Sequence, residues 1–408
     1  MSRIVFVLVL LVHAHVSLET IRAEDWAGFR GSDGNGISSE TTAPLNWSST
    51  EGIRWKIQIP GVGRSSPIAV KDCLFVTTSL TEQQSRHLIC IDRDSGEIRW
   101  NRLVHQGLSE NQHKFNSSAS ATPTSDGIFV YSVFVDEQNM IVVATDWQGE
   151  IRWKRTVGTF FSKHGFAASP VLCRNGLIVN GHQDGEAFIK LLDKESGETI
   201  WTYKPDVNLR SFSTPVVAEV GGVPQIVLAG STQTLGLKPE TGERLWFVEG
   251  PTEKIVCSPS IGLGHVFSFG GSPQVRAFGI KIDMKSSAFE PSVVWKMERG
   301  MPYVPTPLLY ERFIHVVDDL GIYSCIDPLS GKVLKTLRKG NQSYSSPVGA
   351  AGRVYLFDDT GLCTVIRNNS NYEVLAKNAI EDIVQTTPAI SNGAMFVRGE
   401  NYLWRIGP

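Results

Sequence analysis

The chain has 408 residues, of which 41% are hydrophobic and 20% are charged, a composition typical of a soluble globular protein. Its 39 Lys and Arg residues against 41 Asp and Glu residues leave a formal net charge of -2. No strong electrostatic field therefore favours nucleic acid or an acidic membrane surface as a partner, and we expect neither.

The first 23 residues differ in composition from the rest of the chain. Arg3 precedes a continuous apolar run from Ile4 to Val12, which is too short to span a bilayer, because a spanning helix needs roughly 20 residues. A basic start, a short apolar run and a small residue at the cleavage position are typical of a secretory signal peptide. We predict cleavage after Ala23, with an uncleaved anchor as the alternative. No cysteine stands at this cut for lipid attachment, so we expect a periplasmic or secreted protein without a membrane span after cleavage.

Residues 24–50 carry four closely spaced glycines and no strand-like alternation, which predicts irregular backbone. We expect Trp26 and Phe29 to anchor this N-terminal arm to the body of the protein. Asp33 and Asn35 resemble the start of a calcium loop, but an apolar residue occupies the next ligand position. No metal site is therefore predicted.

Two short motifs recur through the rest of the chain. One is a strand-like segment ending in Trp, and its tryptophans are Trp55, Trp100, Trp153, Trp201, Trp246 and Trp295. The other is Ser or Thr before Pro, at Pro67, Pro123, Pro170, Pro215, Pro259, Pro307, Pro347 and Pro388. The first and last of these prolines are 321 residues apart over seven intervals, about 46 residues each. A period of about 40–50 residues with four strands per unit is typical of β-propeller blades.

In three units the fourth strand follows a turn of the form Asp-x-x-Ser/Thr-Gly: Asp92 to Gly96, Asp193 to Gly197 and Asp327 to Gly331. The second unit is one residue shorter at this turn, and the fifth has a longer insert from Lys281 to Ser292. The Asp side chain caps such a turn, and Gly takes the positive φ that closes it. In the seventh unit we expect Asn371 to take the glycine position, because Asn tolerates positive φ.

The two ends of the repeat region complement each other. The last unit, from Thr387 to Ile406, has three strands and lacks a fourth, whereas Ile53 to Ile57 is a fourth strand without the first three. Together they complete one blade and close the ring, which removes exposed sheet edges. We predict an all-β, eight-bladed propeller of four-stranded antiparallel blades, formed by residues 51–408 as a single, monomeric domain.

The repeated tryptophans are expected to dock between neighbouring blades, where each buries a large apolar face. Carbohydrate stacking is the alternative, but a ligand needs only one or two such rings. Lys335 and Ala376 replace Trp in the sixth and seventh units, so we expect looser packing there.

The cysteines Cys73, Cys90, Cys173, Cys257, Cys325 and Cys363 form no CxxC motif and no adjacent pair. This spacing excludes the usual zinc, thioredoxin-like and haem motifs. Most of them lie in strand-like apolar segments, which favours buried free thiols over the disulfides that an exported protein can hold.

No catalytic motif stands out in the chain: there is no HExxH pair, GxSxG elbow or phosphate loop. What remains is a set of polar residues before the inner strands, where a propeller gathers loops around its central channel. They are His113, Lys114, Asn116, Lys163, His164, Arg210, Lys254, Tyr303, Tyr344, Glu381 and Asp382. Such a convergent polar cluster at the channel rim is suited to an anionic or sugar-like ligand, but a solvated rim without a specific site is the favoured interpretation of these residues alone.

The repeat motifs, together with the opening from Trp26 to Gly36, resemble the family of pyrroloquinoline-quinone-like β-propeller repeat proteins. That family includes BamB-type lipoproteins of outer-membrane assembly and the quinoprotein alcohol dehydrogenases. The resemblance covers essentially the whole chain after the signal peptide and implies the fold more strongly than the function. The dehydrogenases carry an adjacent Cys pair and a calcium ligand set, and BamB-type members carry a lipidated Cys. This sequence has neither kind of cysteine, and no calcium ligand set can be placed in it.

Three functions stay open. The favoured hypothesis is a non-catalytic binding or scaffold propeller of the bacterial cell envelope, without a cofactor, that holds an envelope protein or a small polar or anionic ligand at its rim. One alternative is an oxidoreductase dependent on pyrroloquinoline quinone and calcium. The other is a hydrolase or lyase acting on polysaccharide, for which His113 and His164 would be required.

Overall fold

The computed structural model describes residues 25–408 except Asn175, Ser286 and Ser287, so the predicted signal peptide lies outside the described residues. The described residues form eight four-stranded antiparallel sheets in a ring. This confirms the predicted eight-bladed propeller.

The first strand, β1 (Ile53–Gln58), precedes the first complete blade. Blade 1 consists of β2 (Ile68–Val70), β3 (Cys73–Leu80), β4 (Ser85–Asp92) and β5 (Ile98–Gln106), with a 3-10 turn at Thr81–Gln83. Blade 2 consists of β6 (Thr124–Ser125), β7 (Val130–Asp136), β8 (Asn139–Thr145) and β9 (Ile151–Thr159). Blade 3 consists of β10 (Val171–Cys173), β11 (Gly176–Gly181), β12 (Phe188–Asp193) and β13 (Thr199–Tyr203). Blade 4 consists of β14 (Val216–Val220), β15 (Val223–Gly230), β16 (Gln233–Leu237) and β17 (Arg244–Glu249).

The second half of the ring repeats the arrangement. Blade 5 consists of β18 (Ser260–Gly262), β19 (His265–Gly270), β20 (Arg276–Lys285) and β21 (Ala288–Met297). Blade 6 consists of β22 (Leu308–Tyr310), β23 (Phe313–Val317), β24 (Ile322–Ile326) and β25 (Val333–Arg338). Blade 7 consists of β26 (Val348–Ala350), β27 (Arg353–Phe357), β28 (Leu362–Arg367) and β29 (Val374–Ala379). Blade 8 consists of β30 (Ala389–Ser391), β31 (Ala394–Arg398) and β32 (Tyr402–Ile406), completed by β1.

Strand β1 closes the ring as the outer strand of blade 8. It runs antiparallel to β32, with Trp55 opposite Arg405 and Ile57 opposite Leu403. Its side chains alternate between half-buried and exposed, as expected for a strand with one face on the neighbouring blade and one in solvent.

The Ser/Thr-Pro motif joins adjacent blades around the channel. The backbone N–H of Ser66 donates to Thr122 Oγ1 of the next blade at 2.9 Å, and the N–H of Thr122 donates to Ser169 Oγ at 3.0 Å. Five further links of the same kind follow, at 3.0–3.2 Å, through the amides of Ser169, Ser258, Thr306, Ser346 and Thr387. The inner strand has no partner on its channel side, so these hydroxyls satisfy backbone donors that would otherwise be unpaired.

The repeated tryptophans lie between blades. The indole N–H of Trp153, for example, donates to the carbonyl oxygen of Lys194 in the next blade at 2.9 Å, and a Cβ on Gly197 would lie 2.5 Å from the indole ring. Trp55, Trp100, Trp201 and Trp295 each make the same donation to the next blade. The glycine of the Asp-x-x-Ser/Thr-Gly turn is therefore required both for its positive φ and for the space that the indole occupies.

Trp246 departs from this pattern because blade 5 has a long β20–β21 hairpin instead of the short turn. Its indole N–H donates to Gln225 Oε1 within its own blade, at 2.6 Å. The ring nevertheless belongs to a buried cluster that includes Val266 and Phe278 of blade 5.

The two blade interfaces without the repeated Trp are filled by other aromatic residues. Tyr372, not Asn371, takes the left-handed position in blade 7, with φ 58. Its ring lies 4.6 Å from that of Tyr323 in blade 6, where no Trp competes for the space. Beside blade 7, Trp47 of the N-terminal arm stacks on Phe357 at 6.4 Å and is buried.

The N-terminal arm crosses the face of the ring opposite the Ser/Thr-Pro motifs. Trp26 pairs through its backbone with Ala69 of β2 and is only 1% exposed. Arg30 is fully buried and donates to the carbonyl oxygens of Thr306, Pro307 and Pro347 at 3.1–3.3 Å. Burial lowers its pKa to about 10, so the guanidinium is charged at neutral pH. The arm therefore plugs this end of the channel with a cation held by backbone carbonyls.

All six cysteines are free and buried. Within the part of the chain that the structure describes, no helix combines the length and the apolar character needed to cross a bilayer.

Candidate functional site

We call the side of the ring where the inner strands begin the rim face, and the opposite side the arm face. A cavity of about 900 Å³ opens on the rim face in the middle of the ring, and we call it the cup. Loops between blades form its walls. Ser and Thr residues of the Ser/Thr-Pro motifs also line it, as does Phe29 of the arm. The dimensions suit a ligand or an inserted segment of a partner.

Five of the residues predicted for the rim line the cup. They are His113, Asn116, His164, Tyr303 and Tyr344. Tyr303 is held in place by close packing, because a Cβ on Gly271 would lie 1.6 Å from its ring.

The other six predicted residues, Lys114, Lys163, Arg210, Lys254, Glu381 and Asp382, are not among the residues that line the cup wall. Arg210 forms an ion pair with Asp184. Asp382 accepts the backbone N–H groups of Asn401 and Tyr402 at 3.0 and 2.9 Å, which caps a turn. Counting back from the Ser/Thr-Pro motif locates the correct loops but does not distinguish side chains that face the cup from those that cap a turn.

Residues 107–121, which we call the mouth loop, reach across the opening of the cup. Phe115 in this loop lies 5.5 Å from the ring of Tyr344, which belongs to the loop between blades 6 and 7. His113 lies 5.4 Å from Phe115 and 5.8 Å from His164. His164 in turn lies 6.5 Å from Phe212. A continuous row of five rings therefore borders the mouth of the cup.

Buried polar contacts hold the mouth loop in this position. Arg86 is fully buried, donates to the carbonyl oxygens of Gly107 and Leu108 at 2.5 and 3.0 Å, and lies 3.6 Å from Glu110. At the other end of the loop, Asn116 Nδ2 donates to the carbonyl oxygen of His164 at 2.8 Å. These contacts attach the mouth loop, which carries His113 and Phe115, to blade 1 and to the loop between blades 2 and 3.

The charge around the cup is asymmetric. Burial lowers the pKa of His164, and the nearby charges of Arg210, His113, Lys163 and Lys254 lower it further. Arg210, Lys163, Lys254 and His113 therefore surround the His164 imidazole with positive charge at one side of the opening.

The carboxylates that face the cup are engaged by backbone amides. Asp318 Oδ1 accepts the N–H groups of Leu320 and Ile322 at 3.0 and 2.8 Å. Asp319 accepts those of Tyr303 and Val304 at 2.6 and 3.1 Å, although burial raises its pKa. Among the described residues, no group of three or more His, Cys, Asp or Glu side chains could hold a metal ion.

Sequence reasoning missed several cup residues. Arg64, Phe115, Phe212, Gln342 and Gln385 also line the cavity. Phe115 and Phe212 stand before inner strands, as the predicted Tyr303 and Tyr344 do, so the same count reaches their positions. Asp318 and Asp319 lie in the loop between β23 and β24 of blade 6. Counting back from the Ser/Thr-Pro motifs covers only the loops between blades, so it does not include these two residues.

A family model described as "Outer membrane protein assembly factor BamB" matches residues 31–159 and 106–337. The chain belongs to this family. A search of curated proteins gave no match.

Solved structures of the same fold include members with different activities. BamB from Moraxella catarrhalis is 13% identical, with a TM-score of 0.65 and coverage of 87% of this chain and 97% of its own. A europium-containing methanol dehydrogenase is 11% identical, with a TM-score of 0.64 and coverage of 93% and 90%. The quinohemoprotein alcohol dehydrogenase from Comamonas testosteroni is 10% identical, with a TM-score of 0.68 and coverage of 94% and 81%. At these identities the likeness establishes the fold alone.

Proposed function

We propose that this protein is a non-catalytic binding propeller of the bacterial cell envelope that holds a segment of a partner protein, or a ligand, in the cup. The observation that carries the proposal is the cup itself, a cavity of about 900 Å³ bordered by a row of aromatic rings with cationic groups on one side. Large concave sites with apolar walls and few convergent polar groups are typical binding sites.

The state of the acidic groups supports binding over catalysis. General acid–base chemistry needs a carboxylate or imidazole that is free to exchange a proton with a substrate. Asp318 and Asp319 accept hydrogen bonds from backbone amides, so neither carboxylate in the cup is free of partners. The signal-peptide-like start of the sequence and the BamB-type family support a periplasmic or secreted location.

The alternative is a quinoprotein-type oxidoreductase, which is favoured by the similarity in fold to the two dehydrogenases. The described residues around the cup do not offer the donors that a calcium-bound quinone would need, since the facing carboxylates are engaged by amides and the six cysteines are buried and unpaired. Titration of the purified protein with pyrroloquinoline quinone, with and without calcium, tests this alternative. A new visible absorption band together with dye reduction by alcohols would establish it over the binding proposal.

The binding proposal predicts that capture of a partner depends on the rim face. We expect the double variant Phe115→Ala/Tyr344→Ala to lose at least about tenfold of the cross-linked partner recovered from native envelope, because it removes two adjoining rings of the aromatic row. Quantitative mass spectrometry of the cross-linked products measures this.

The matched control is Ile128→Ala/Leu263→Ala, which removes two side chains on the arm face that are 56% and 50% exposed. We expect it to leave the recovery unchanged. Equal recovery with both double variants would show that the cup is not the binding site.

A further inference from the structure

We infer that the occupant of the cup is an acidic peptide segment with an aromatic side chain, and that its acidic group lies beside His164. The inference rests on the proposed binding function and names the class of partner. It follows from the position of the cations relative to the aromatic row.

The cations near His164 are largely uncompensated. Arg210 pairs with Asp184, but among the described residues neither Lys163 nor Lys254 takes part in an ion pair. Lys163 is exposed at the rim, and Lys254 is partly exposed. Lys163 and Lys254 therefore leave positive charge beside His164, where Asp184 neutralises only Arg210, whereas Asp318 and Asp319 lie on the blade 6 side of the cup. Such a charge attracts an anion, and charge complementarity sets specificity and association rate.

The apolar part of the site adjoins these charges. His113 and His164 form the middle of the aromatic row, with Phe115 and Tyr344 on one side and Phe212 on the other. An anionic group beside His164 therefore leaves the rest of the same ligand against aromatic rings. Aromatic pairs at such distances are favourable beyond the area that they bury.

A peptide fits this combination better than a polysaccharide. Apolar side chains, including Phe29, Met301 and Val304, are among the residues that line the cup. An uncharged polysaccharide offers no anion to the cations beside His164, whereas an acidic peptide supplies both a carboxylate and an apolar side chain. The exposed side chain of Leu320, also part of the lining, extends the apolar surface to the mouth.

The titration of His164 gives the binding a pH dependence of known sign. The pKa of His164 lies below its usual value because of burial and of the charges on Arg210, His113, Lys163 and Lys254. The imidazole is therefore neutral at pH 7 and gains its charge as the pH falls. We expect the affinity for an acidic peptide to rise as the pH is lowered from 7, and His164→Gln to reduce that rise.

Fluorescence anisotropy with synthetic decapeptides tests the inference. The probe carries Asp and Glu around a central Phe, and two matched peptides carry Asn and Gln in place of the acids or Ser in place of Phe. We expect the acidic Phe peptide to bind the full-length mature protein at least about tenfold more tightly than either matched peptide at low salt. Lys163→Glu/Lys254→Glu should weaken this binding by at least about tenfold.

The control Lys238→Glu/Lys332→Glu makes the same change of charge at two exposed lysines of the arm face and should change the affinity less than about twofold. If the neutral Phe peptide binds equally well, and Phe115→Ala abolishes its binding, the acidic class is wrong while the proposed function stands. If the acidic peptide does not bind, or if dextran sulfate binds at the rim and the peptide fails to displace it, the peptide assignment is wrong.

Discussion

Replacement of Trp153 by Ala should lower the free energy of unfolding by roughly 3–5 kcal/mol, the range for a large aromatic side chain removed from a core. Trp153 is 6% exposed, and its indole lies between blade 2 and the Lys194–Gly197 turn of blade 3. The substitution would leave a cavity between the blades and an unpaired carbonyl at Lys194. Equilibrium urea unfolding followed by far-UV circular dichroism measures the loss.

Ile151→Ala is the matched control, because Ile151 is in the same strand but is 40% exposed. We expect it to cost less than about 1 kcal/mol. Gly197→Ala should also be destabilising, since its φ is 73° and the new Cβ would lie 2.5 Å from the indole. If Trp153→Ala cost no more than Ile151→Ala, the indole would not contribute to the docking of blades.

Replacement of Arg30 by Met should cost about 3–5 kcal/mol, because it leaves several buried carbonyl oxygens without a donor. The guanidinium reaches Thr306, Pro307 and Pro347 from blades 6 and 7 and thereby fixes the arm across the channel. We expect the arm to become sensitive to limited proteolysis in the variant before the blades unfold. The rate of cleavage within residues 24–50 and the midpoint of thermal unfolding measure the two effects.

Arg353→Met serves as the comparison for Arg30. Arg353 also contacts the arm, but through one hydrogen bond to the carbonyl oxygen of Ala43 at 2.7 Å. Its loss should cost about 1 kcal/mol. Gly36→Ala should resemble Arg30→Met, because the added Cβ would lie 2.6 Å from the Arg30 guanidinium. If Arg30→Met were as stable and as resistant to protease as Arg353→Met, the buried guanidinium would not be what holds the arm across the channel.

The blade architecture could be predicted because it depends on local and repeated features. A Pro at the start of each inner strand, a Gly in most tight turns and a Trp on most outer strands recur in register, and each has a physical cause within one unit or between neighbours. Even the closure by β1 and β32 follows from two incomplete units that complement each other.

The packing that departs from the repeat could not be predicted in the same way. Tyr372 occupies the left-handed position of the blade 7 turn, and Lys335 stands at the position where the Trp of another blade would contact that turn. Trp47 fills the region beside blade 7 from a distant part of the chain. Both aromatic residues fill a space left by a missing Trp, and both do so through contacts between residues far apart in sequence. The repeat pattern gives no information about such contacts.

The candidate site was located only in part for a related reason. The loops before the inner strands were identified correctly, but the orientation of each side chain depends on non-local partners such as Asp184 for Arg210. The shape of the mouth loop depends on Arg86 of β4, which carries no motif. The arm's opening sequence has a structural explanation, with Phe29 in the cup and Arg30 in the plug.

The most direct test of binding in the cup is photo-cross-linking of the acidic decapeptide with benzoylphenylalanine at its central position, followed by mapping of the attached residues by mass spectrometry. We expect the attachment sites to cluster in the mouth loop and around Tyr344 and Phe212, at the aromatic row. Attachment mainly at the arm-face turns near Ile128 and Leu263, or along the outer strands, would contradict a binding site in the cup.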